Sequence, residues 1–335
     1  MRARMHDGEP PAVSPRAGAV LVTGAAGFIG SHVAEALLAG GRRVVGLDNL
    51  DSFYDPAIKR GNFAALAARP GFRAVEGDIR DCELIARLFR DERVGEVVHL
   101  AARAGVRPSI TDPVLYADVN VTGTTVILDA ARNAGVKSVV IASSSSVYGA
   151  RSDPPFRESD PPATAISPYA WSKQSCELLA KTYVTLFGMD VTALRFFTAY
   201  GPRQRPDLAI HKFSALMLAG KPVPFFGDGS MRRDHTYVAD IVEGVVRALD
   251  RAPGRGYRCY NLGNSETVSL TDLVAALERL WGVRAVLDRQ PTPPGDVPLT
   301  CADVTLAAAE LGFRPATPLD EGLARFAAWY REKGR

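Results

Sequence analysis

An apolar run, Ala19-Val20-Leu21-Val22-Thr23, passes directly into Gly24-Ala25-Ala26-Gly27-Phe28-Ile29-Gly30. No other stretch narrows the possible folds so far. Five apolar or β-branched residues read as a strand buried on both faces, and the glycines that follow, spaced G-x-x-G-x-x-G, open a helix. Glycine lets such a turn close and lets the backbone approach a pyrophosphate, whose charge then lies at the helix N-terminus. A glycine triplet alone is common before helices for turn reasons. Here strand, turn and helix stand in the order the motif requires.

The same alternation continues down the chain. Strands are expected at 19–23, 43–47, 72–76, 96–100, 138–142 and 191–197, with helical patterns between them. Short strands buried on both faces and separated by helices imply a mostly parallel sheet in a doubly wound, Rossmann-type α/β domain. After Gly201 the texture changes. A helix is expected over 207–220, then a Pro/Gly-rich stretch over 221–229. A second helix is expected over 269–281, with Ser269 and Asp272 as a capping-box-like pair. Helical segments at 303–311 and 319–332 close the chain. The expected division is a flexible extension over 1–18, a dinucleotide-binding domain over 19–200 and a smaller α/β lobe over 201–335. A helix over 238–250 and a strand over 257–262 place segment 236–264 back against the first domain.

Composition excludes several classes. With 335 residues, 47% hydrophobic and 23% charged, the chain reads as an ordinary soluble globular protein. A net charge of +3, with no run of five like charges, does not suit nucleic acid. The paired arginines Arg203 with Arg205 and Arg232 with Arg233 fit either a small anionic ligand or a solvated face. The four cysteines share no metal-ligand spacing and read as reduced thiols of a cytoplasmic enzyme without a metal. Residues 1–18 are polar, contain three prolines and lack the apolar core of a signal peptide. No stretch approaches 18 consecutive apolar residues, so no membrane span is expected.

Asp48 ends the second strand, where an acid accepts from both hydroxyls of an adenosine ribose and repels a 2′-phosphate, favouring NAD over NADP. Asn49 follows it in the same site. Asp78 and Ile79, after the third strand, are placed to cap the adenine. Leu100, Ala101 and Ala102, after the fourth, let the cofactor lie against backbone, while His99 packs as a structural histidine.

A serine run, Ser143-Ser144-Ser145-Ser146-Val147-Tyr148-Gly149, ends the fifth strand, and Tyr169-Ala170-Trp171-Ser172-Lys173 opens a helix with Ser167 as N-cap and Pro168 at its first position. Tyr169 and Lys173 are four apart on one helical face, so the ammonium can favour the phenolate. A serine hydroxyl beside that phenol completes a proton relay for oxidising an alcohol. No acid stands among the serines before Val147.

Joined to the glycine frame, Tyr-x-x-x-Lys resembles the short-chain dehydrogenase/reductase superfamily, and the glycine spacing and length resemble its extended branch, which acts on nucleotide sugars. The resemblance covers about residues 19–332. It implies Tyr169 as base, Lys173 fixing the cofactor ribose, Ser144 hydrogen-bonding the sugar O4, and Asn120 near the cofactor. In that branch, dehydratases carry an Asp-Glu pair before Val-Tyr-Gly and UDP-xylose-forming decarboxylases a glutamate. This chain has Ser145 and Ser146, which leaves oxidation at C4, turnover of the keto sugar and hydride return to its other face.

The segment 194–207, with Thr198 and Arg205, is similar to the UDP-glucuronate 4-epimerases, as are 48–55 and Ala104-Gly105-Val106-Arg107. Arg205 offers a planar fork for a carboxylate and Thr198 a donor. A 4-keto glucuronate is a β-keto acid that loses CO2 when the breaking bond lies perpendicular to the carbonyl plane. A clamp from Arg205, Thr198 and Ser145 or Ser146 would hold the carboxylate off that path. The resemblance further places Arg233 on a diphosphate, Phe226 on uracil, Asp296 on the uridine ribose, Arg107 among the substrate-binding residues, and a homodimer interface on helices near 112–134 and 168–187. Arg103, where these epimerases often have glutamine, and Pro293, where galactose epimerases have arginine, depart from the pattern. Competing readings are a UDP-glucose/galactose or N-acetylhexosamine 4-epimerase, a UDP-glucuronate decarboxylase, and an NAD-binding regulator without activity.

Overall fold

The computed structural model describes residues 18–333 apart from 152, 162 and 294; the expected extension over 1–18 thus lies almost wholly outside the described residues. Its first half alternates β1 (Ala19–Thr23), α1 (Phe28–Ala39), β2 (Val44–Asp48), α2 (Pro56–Ala67), β3 (Phe72–Glu76), α3 (Cys82–Asp91) and β4 (Val94–His99). Short helices α4 (Val106–Thr111) and α5 (Pro113–Tyr116) lead through a π-helical turn at Ala117–Thr122 into α6 (Gly123–Asn133). Then come β5 (Ser138–Ser144), α7 (Pro168–Phe187) and β6 (Asp190–Phe196).

The second half holds β7 (Thr198–Tyr200), α8 (Ala209–Leu218), β8 (Val223–Phe226), β9 (Arg232–Tyr237), α9 (Val238–Arg251), β10 (Tyr257–Leu262), β11 (Thr267–Ser269), α10 (Leu270–Trp281), β12 (Leu287–Gln290), α11 (Thr305–Leu311) and α12 (Leu319–Lys333). Seven strands form one sheet in the order β10-β6-β5-β4-β1-β2-β3, every pair parallel. Strand order reverses between β1 and β4, the place where open α/β sheets leave a crevice at their carboxyl ends. Side chains alternate between two cores. Val20, Val22, Val98 and Val140 pack toward α1 and α9, while Leu21, Val97, Val139 and Ile141 pack toward α3, α6 and α7.

β10 pairs with β6 from Tyr257↔Val191 to Leu262↔Phe196, so a strand from the later half closes one edge of the main sheet. The remaining strands build a sheet β11-β9-β7 and a parallel pair β12-β8 above the carboxyl ends. Ser269 caps α10 by accepting from the Asp272 amide, and its hydroxyl donates to the Asp272 carboxylate. β5 runs two residues past its apolar part, because Ser143 and Ser144 still pair with Arg195 and Phe196 of β6. β4 starts at Val94 and ends at His99, earlier than the 96–100 expected. No helix among the described residues is long and apolar enough to cross a membrane.

Candidate active site

A cleft of about 500 Å³ opens at the carboxyl ends of the strands, between the sheet and the later elements, a size suited to small ligands. One end is the glycine turn. Gly24 has φ +71, and a Cβ there would lie 2.9 Å from the Ala101 amide nitrogen, so β1 and β4 approach as only glycine permits. A Cβ on Gly30 would lie 2.0 Å from the Gly24 carbonyl oxygen. Gly27 caps α1 with no side-chain bond and no acid in the first turn. The first amides of α1 therefore have neither a side-chain cap nor a competing carboxylate, as an anion site requires. These residues fit a dinucleotide's pyrophosphate.

Asp48 is buried at the end of β2, one oxygen accepting from the Ala26 amide at 3.1 Å and the other from Leu50 at 2.9 Å. Burial pushes its carboxyl up, against the pull of those amides and the Lys59 ammonium. Each oxygen keeps a lone pair for a ribose hydroxyl. Asn49 donates to Asp78 at 3.0 Å, and Arg80 grips the same carboxylate, holding it down at about 2. Ile79, Leu100, Ala101 and Ala102 line the cleft beside them. His99 is buried between the Thr23 and Thr124 hydroxyls, and burial followed by the nearby Lys173 charge holds its ring at about 3, so it is neutral.

At the other end stands the start of α7. Ser167 accepts from the Ala170 amide at 3.1 Å, Pro168 occupies the first turn, and the Tyr169 amide donates to Ser109 Oγ at 3.1 Å. The Tyr116 ring meets Tyr169 edge-on at 6.1 Å, and its hydroxyl donates to the Ala104 carbonyl. Lys173 Nζ lies 6.0 Å from the centre of the Tyr169 ring and donates to the Ala142 carbonyl at 2.7 Å; its other two N–H groups have no partner among the described residues.

The serines line the facing wall. Ser144 Oγ accepts the Ser146 amide at 3.2 Å, which keeps its own hydrogen for donation. Ser146 Oγ is buried and has no partner among the described residues. Such a hydroxyl costs free energy until something bonds it. Beneath them, Glu177 accepts from Ser143 and takes Arg195 bidentately at 2.9 and 2.8 Å. Tyr169, Lys173 and Glu177 follow one another at four-residue spacing on α7. That periodicity is the signal in the sequence that points to Glu177.

The cleft also holds Ser145, Thr198, Arg205, Arg233 and Asp296. Arg205 is bound at both Nε and Nη2 by Asp207, and Phe53 lies under its guanidinium at 5.0 Å. Arg103 packs on the same ring at 5.1 Å and pairs with Asp51. Burial lowers the Arg233 guanidinium, with Asp296 opposing and Arg107 assisting.

Three of the expected residues do not line the cleft. Asn120 does not line the cleft: it is buried, accepts from the Arg103 amide at 2.7 Å and donates to the Arg103 carbonyl and Ser172 Oγ, so it holds the loop that does. Phe226 lies outside the lining, with the Arg107 guanidinium over its ring at 4.4 Å. Arg107 itself lies outside the lining and pairs with Asp296 at 2.7 Å. Lys59, whose ammonium donates to the Asp51 carbonyl, lines the cleft without a sequence signal.

A family model described as GDP-mannose 4,6 dehydratase matches residues 21–326. UDP-glucuronate 4-epimerase 4 of Arabidopsis thaliana is 43% identical over 327 residues, spanning 93% of this chain and 75% of that protein. UDP-glucuronate 4-epimerase of Thermodesulfobacterium geofontis is 40% identical over 94% of this chain and 97% of its own length. The crystal structure of the Bacillus cereus UDP-glucuronic acid 4-epimerase, in complex with UDP-glucuronic acid and NAD, superposes with a TM-score of 0.89 at 36% identity, covering 93% of this chain and 99% of that one.

Proposed function

The chain belongs to the GDP-mannose 4,6-dehydratase family within the extended short-chain dehydrogenases/reductases, and on that footing we propose that it is an isomerase, an NAD-dependent 4-epimerase converting UDP-glucuronic acid to UDP-galacturonic acid with the carboxylate retained. One observation carries the reading. A single cleft combines an alcohol-oxidising pair, Tyr169 and Lys173, with carboxylate donors, Thr198, Arg205 and the Ser146 hydroxyl, which has no partner among the described residues, and its serine wall contains no acid.

The chemistry NAD supplies when bound is hydride acceptance at C4 and hydride return. Gly24, Gly27, Phe28, Ile29 and Gly30 hold its pyrophosphate, Asp48 and Asn49 its ribose, Asp78 and Ile79 flank the adenine, and Leu100, Ala101 and Ala102 give it a backbone wall. Tyr169 takes the C4 hydroxyl proton and gives it back. Lys173, fixed by the Ala142 carbonyl, favours the phenolate and turns its other N–H groups to the nicotinamide ribose. Ser144 donates to the sugar O4. Arg205, Thr198, Ser145 and Ser146 hold the carboxylate close to the plane of the C4 carbonyl, where decarboxylation lacks orbital overlap. Arg233 and Asp296 take the diphosphate and uridine ribose.

In this reading residues 19–200 bind NAD together with segment 236–264, and 201–335 bind the nucleotide sugar; the β10–β6 pairing supports that division. A cytoplasmic homodimer belongs to the same reading, supported by four free thiols and by exposed apolar side chains on α5 and α7. The alternative, epimerisation of uncharged UDP-hexoses with Arg205 structural, draws support from the Arg205–Asp207 pair. Incubating the enzyme separately with UDP-glucuronate and UDP-glucose and identifying products by NMR separates the two. UDP-galacturonate is expected from the first; turnover of the uncharged sugar alone would overturn the proposal.

A further inference from the structure

Arg205 sits in the loop between β7 and α8, and nearly every element of that loop is tied down. Arg203 pairs with Glu35 of α1 at 2.6 Å, the Gln204 amide donates to the Gly201 carbonyl, and His211 Nδ1 bonds the Gln204 carbonyl at 2.6 Å. The guanidinium is fixed as well as the backbone. Asp207 takes Nε at 2.9 Å and Nη2 at 2.6 Å, Pro206 restricts the single residue between them, and the Phe53 ring supports the planar face at 5.0 Å. The Arg205 side chain is 15% exposed.

A guanidinium carries five N–H donors and can meet carboxylates along two edges. Asp207 occupies the side edge, Nε with Nη2. The end edge remains, and its Nη1 has no partner among the described residues. The pair is close to neutral as a unit, so net charge does little to select an acidic ligand. What distinguishes it is that one donor edge is held in one place. For a β-keto acid that matters, because a guanidinium free to swing would follow its carboxylate into the torsion that releases CO2.

We propose that Asp207 is a positioning residue for carboxylate recognition: by occupying the side edge of Arg205, with Phe53 as platform, it fixes the end edge on which the sugar carboxylate seats. The proposal rests on the reading that Arg205 meets that carboxylate. Asp207 does not line the cleft, and its effect is exerted through Arg205 alone.

The test compares Asp207→Asn, Asp207→Glu and Arg205→Ala with the wild type on UDP-glucuronate. Initial rates are recorded together with the share of decarboxylated UDP-pentose among the products. UDP, which lacks a carboxylate, is titrated as a competitive inhibitor. Asparagine keeps the size of Asp207 but offers one uncharged acceptor, so KM for UDP-glucuronate is expected to rise on the order of tenfold. The pentose share rises with it, UDP affinity stays within about twofold of wild type, and glutamate restores most of the KM. A general structural defect would weaken UDP equally. Wild-type KM and pentose share in Asp207→Asn, with Arg205→Ala impaired, would overturn the positioning role alone. A lowered KM in Asp207→Asn would also overturn it, since it would make Asp207 a competitor for the guanidinium. Wild-type behaviour of Arg205→Ala would overturn the carboxylate reading and this proposal together.

Discussion

Replacing Gly30 with alanine puts a methyl carbon 2.0 Å from the Gly24 carbonyl oxygen, 2.7 Å from its carbonyl carbon and 3.1 Å from Ala25 Cα. All three are backbone atoms, so no side chain can rotate away. Reaching even the 3.0 Å limit for real Cβ contacts requires the turn and the start of α1 to separate by about 1 Å, with about 1–3 kcal/mol of strain. The larger effect is on the cofactor, because the amides displaced are those offered to the pyrophosphate. A hydrogen bond to a charged group contributes about 1.5–3 kcal/mol, so losing one weakens NAD binding by roughly 10- to 100-fold. At NAD concentrations of about 100 times the wild-type Kd, the wild type gains about 2.7 kcal/mol from the ligand, while a variant binding 100-fold more weakly gains about 0.4 kcal/mol. Thermal melts with and without NAD read this directly. Gly27→Ala, whose Cβ meets Gly24 O at 3.1 Å, should fall between. Gly61→Ala in α2, which meets nothing within 4 Å, should keep the full NAD response and gain up to about 1 kcal/mol from helix propensity. A Gly30→Ala protein with the wild-type NAD-induced rise would refute the assignment of this turn to the pyrophosphate.

Acid should destabilise the fold well above the range where carboxylates titrate. Burial is the largest cause of low values at His32 (about 4), His99 (about 3) and His235 (about 4), against an ordinary 6.5. Each stays neutral when folded and takes a proton when unfolded, so stability is complete above pH 6.5 and falls as pH drops from there toward 3–4. The loss is about 1.4 kcal/mol per pH unit for each ring once below 6.5. Urea midpoints measured from pH 7.5 to 5 should therefore decline, and a flat profile would mean the rings accept protons in place. For assembly, Val114, Trp171 and Leu178 are 77%, 47% and 62% exposed on α5 and α7, an apolar face of the kind that marks an interface. Light scattering should give a dimer mass for the wild type and a monomer for Trp171→Glu/Leu178→Glu; a monomeric wild type would remove the homodimer from the reading.

What could be read from the sequence was whatever is encoded within a few residues. β1, β3 and β10 have the boundaries that their apolar runs suggest, and Ser269 and Ser167 cap the helices they precede. The glycine turn, Asp48 at a strand end and the Tyr169–Lys173 stripe all line the cleft for the same reason, since each is a local pattern with a fixed geometric consequence. What could not be read is what a distant partner decides. Nothing near Asn120 says that its amide will be taken by the Arg103 backbone, and nothing near Phe226 says that Arg107, from the other half of the chain, will lie on its ring. β5 extends into the serines because β6 offers Arg195 and Phe196 as partners, a long-range pairing that overrides the polar sequence.

The Arg205 end of the cleft lies between these cases. Thr198 and Arg205 were singled out by residue type and by resemblance, yet a guanidinium in a largely buried position cannot be judged by type alone. When no substrate is present it still needs an acceptor, because an unpaired buried charge is far more costly than a paired one. That resting partner is Asp207, two residues away and visible in the sequence from the outset. Its closeness has a mechanical reason. A partner on another element would move with that element, whereas one across a single proline turns with the same loop that Arg203 and His211 hold in place. The donor edge offered to a ligand is then set by the loop itself.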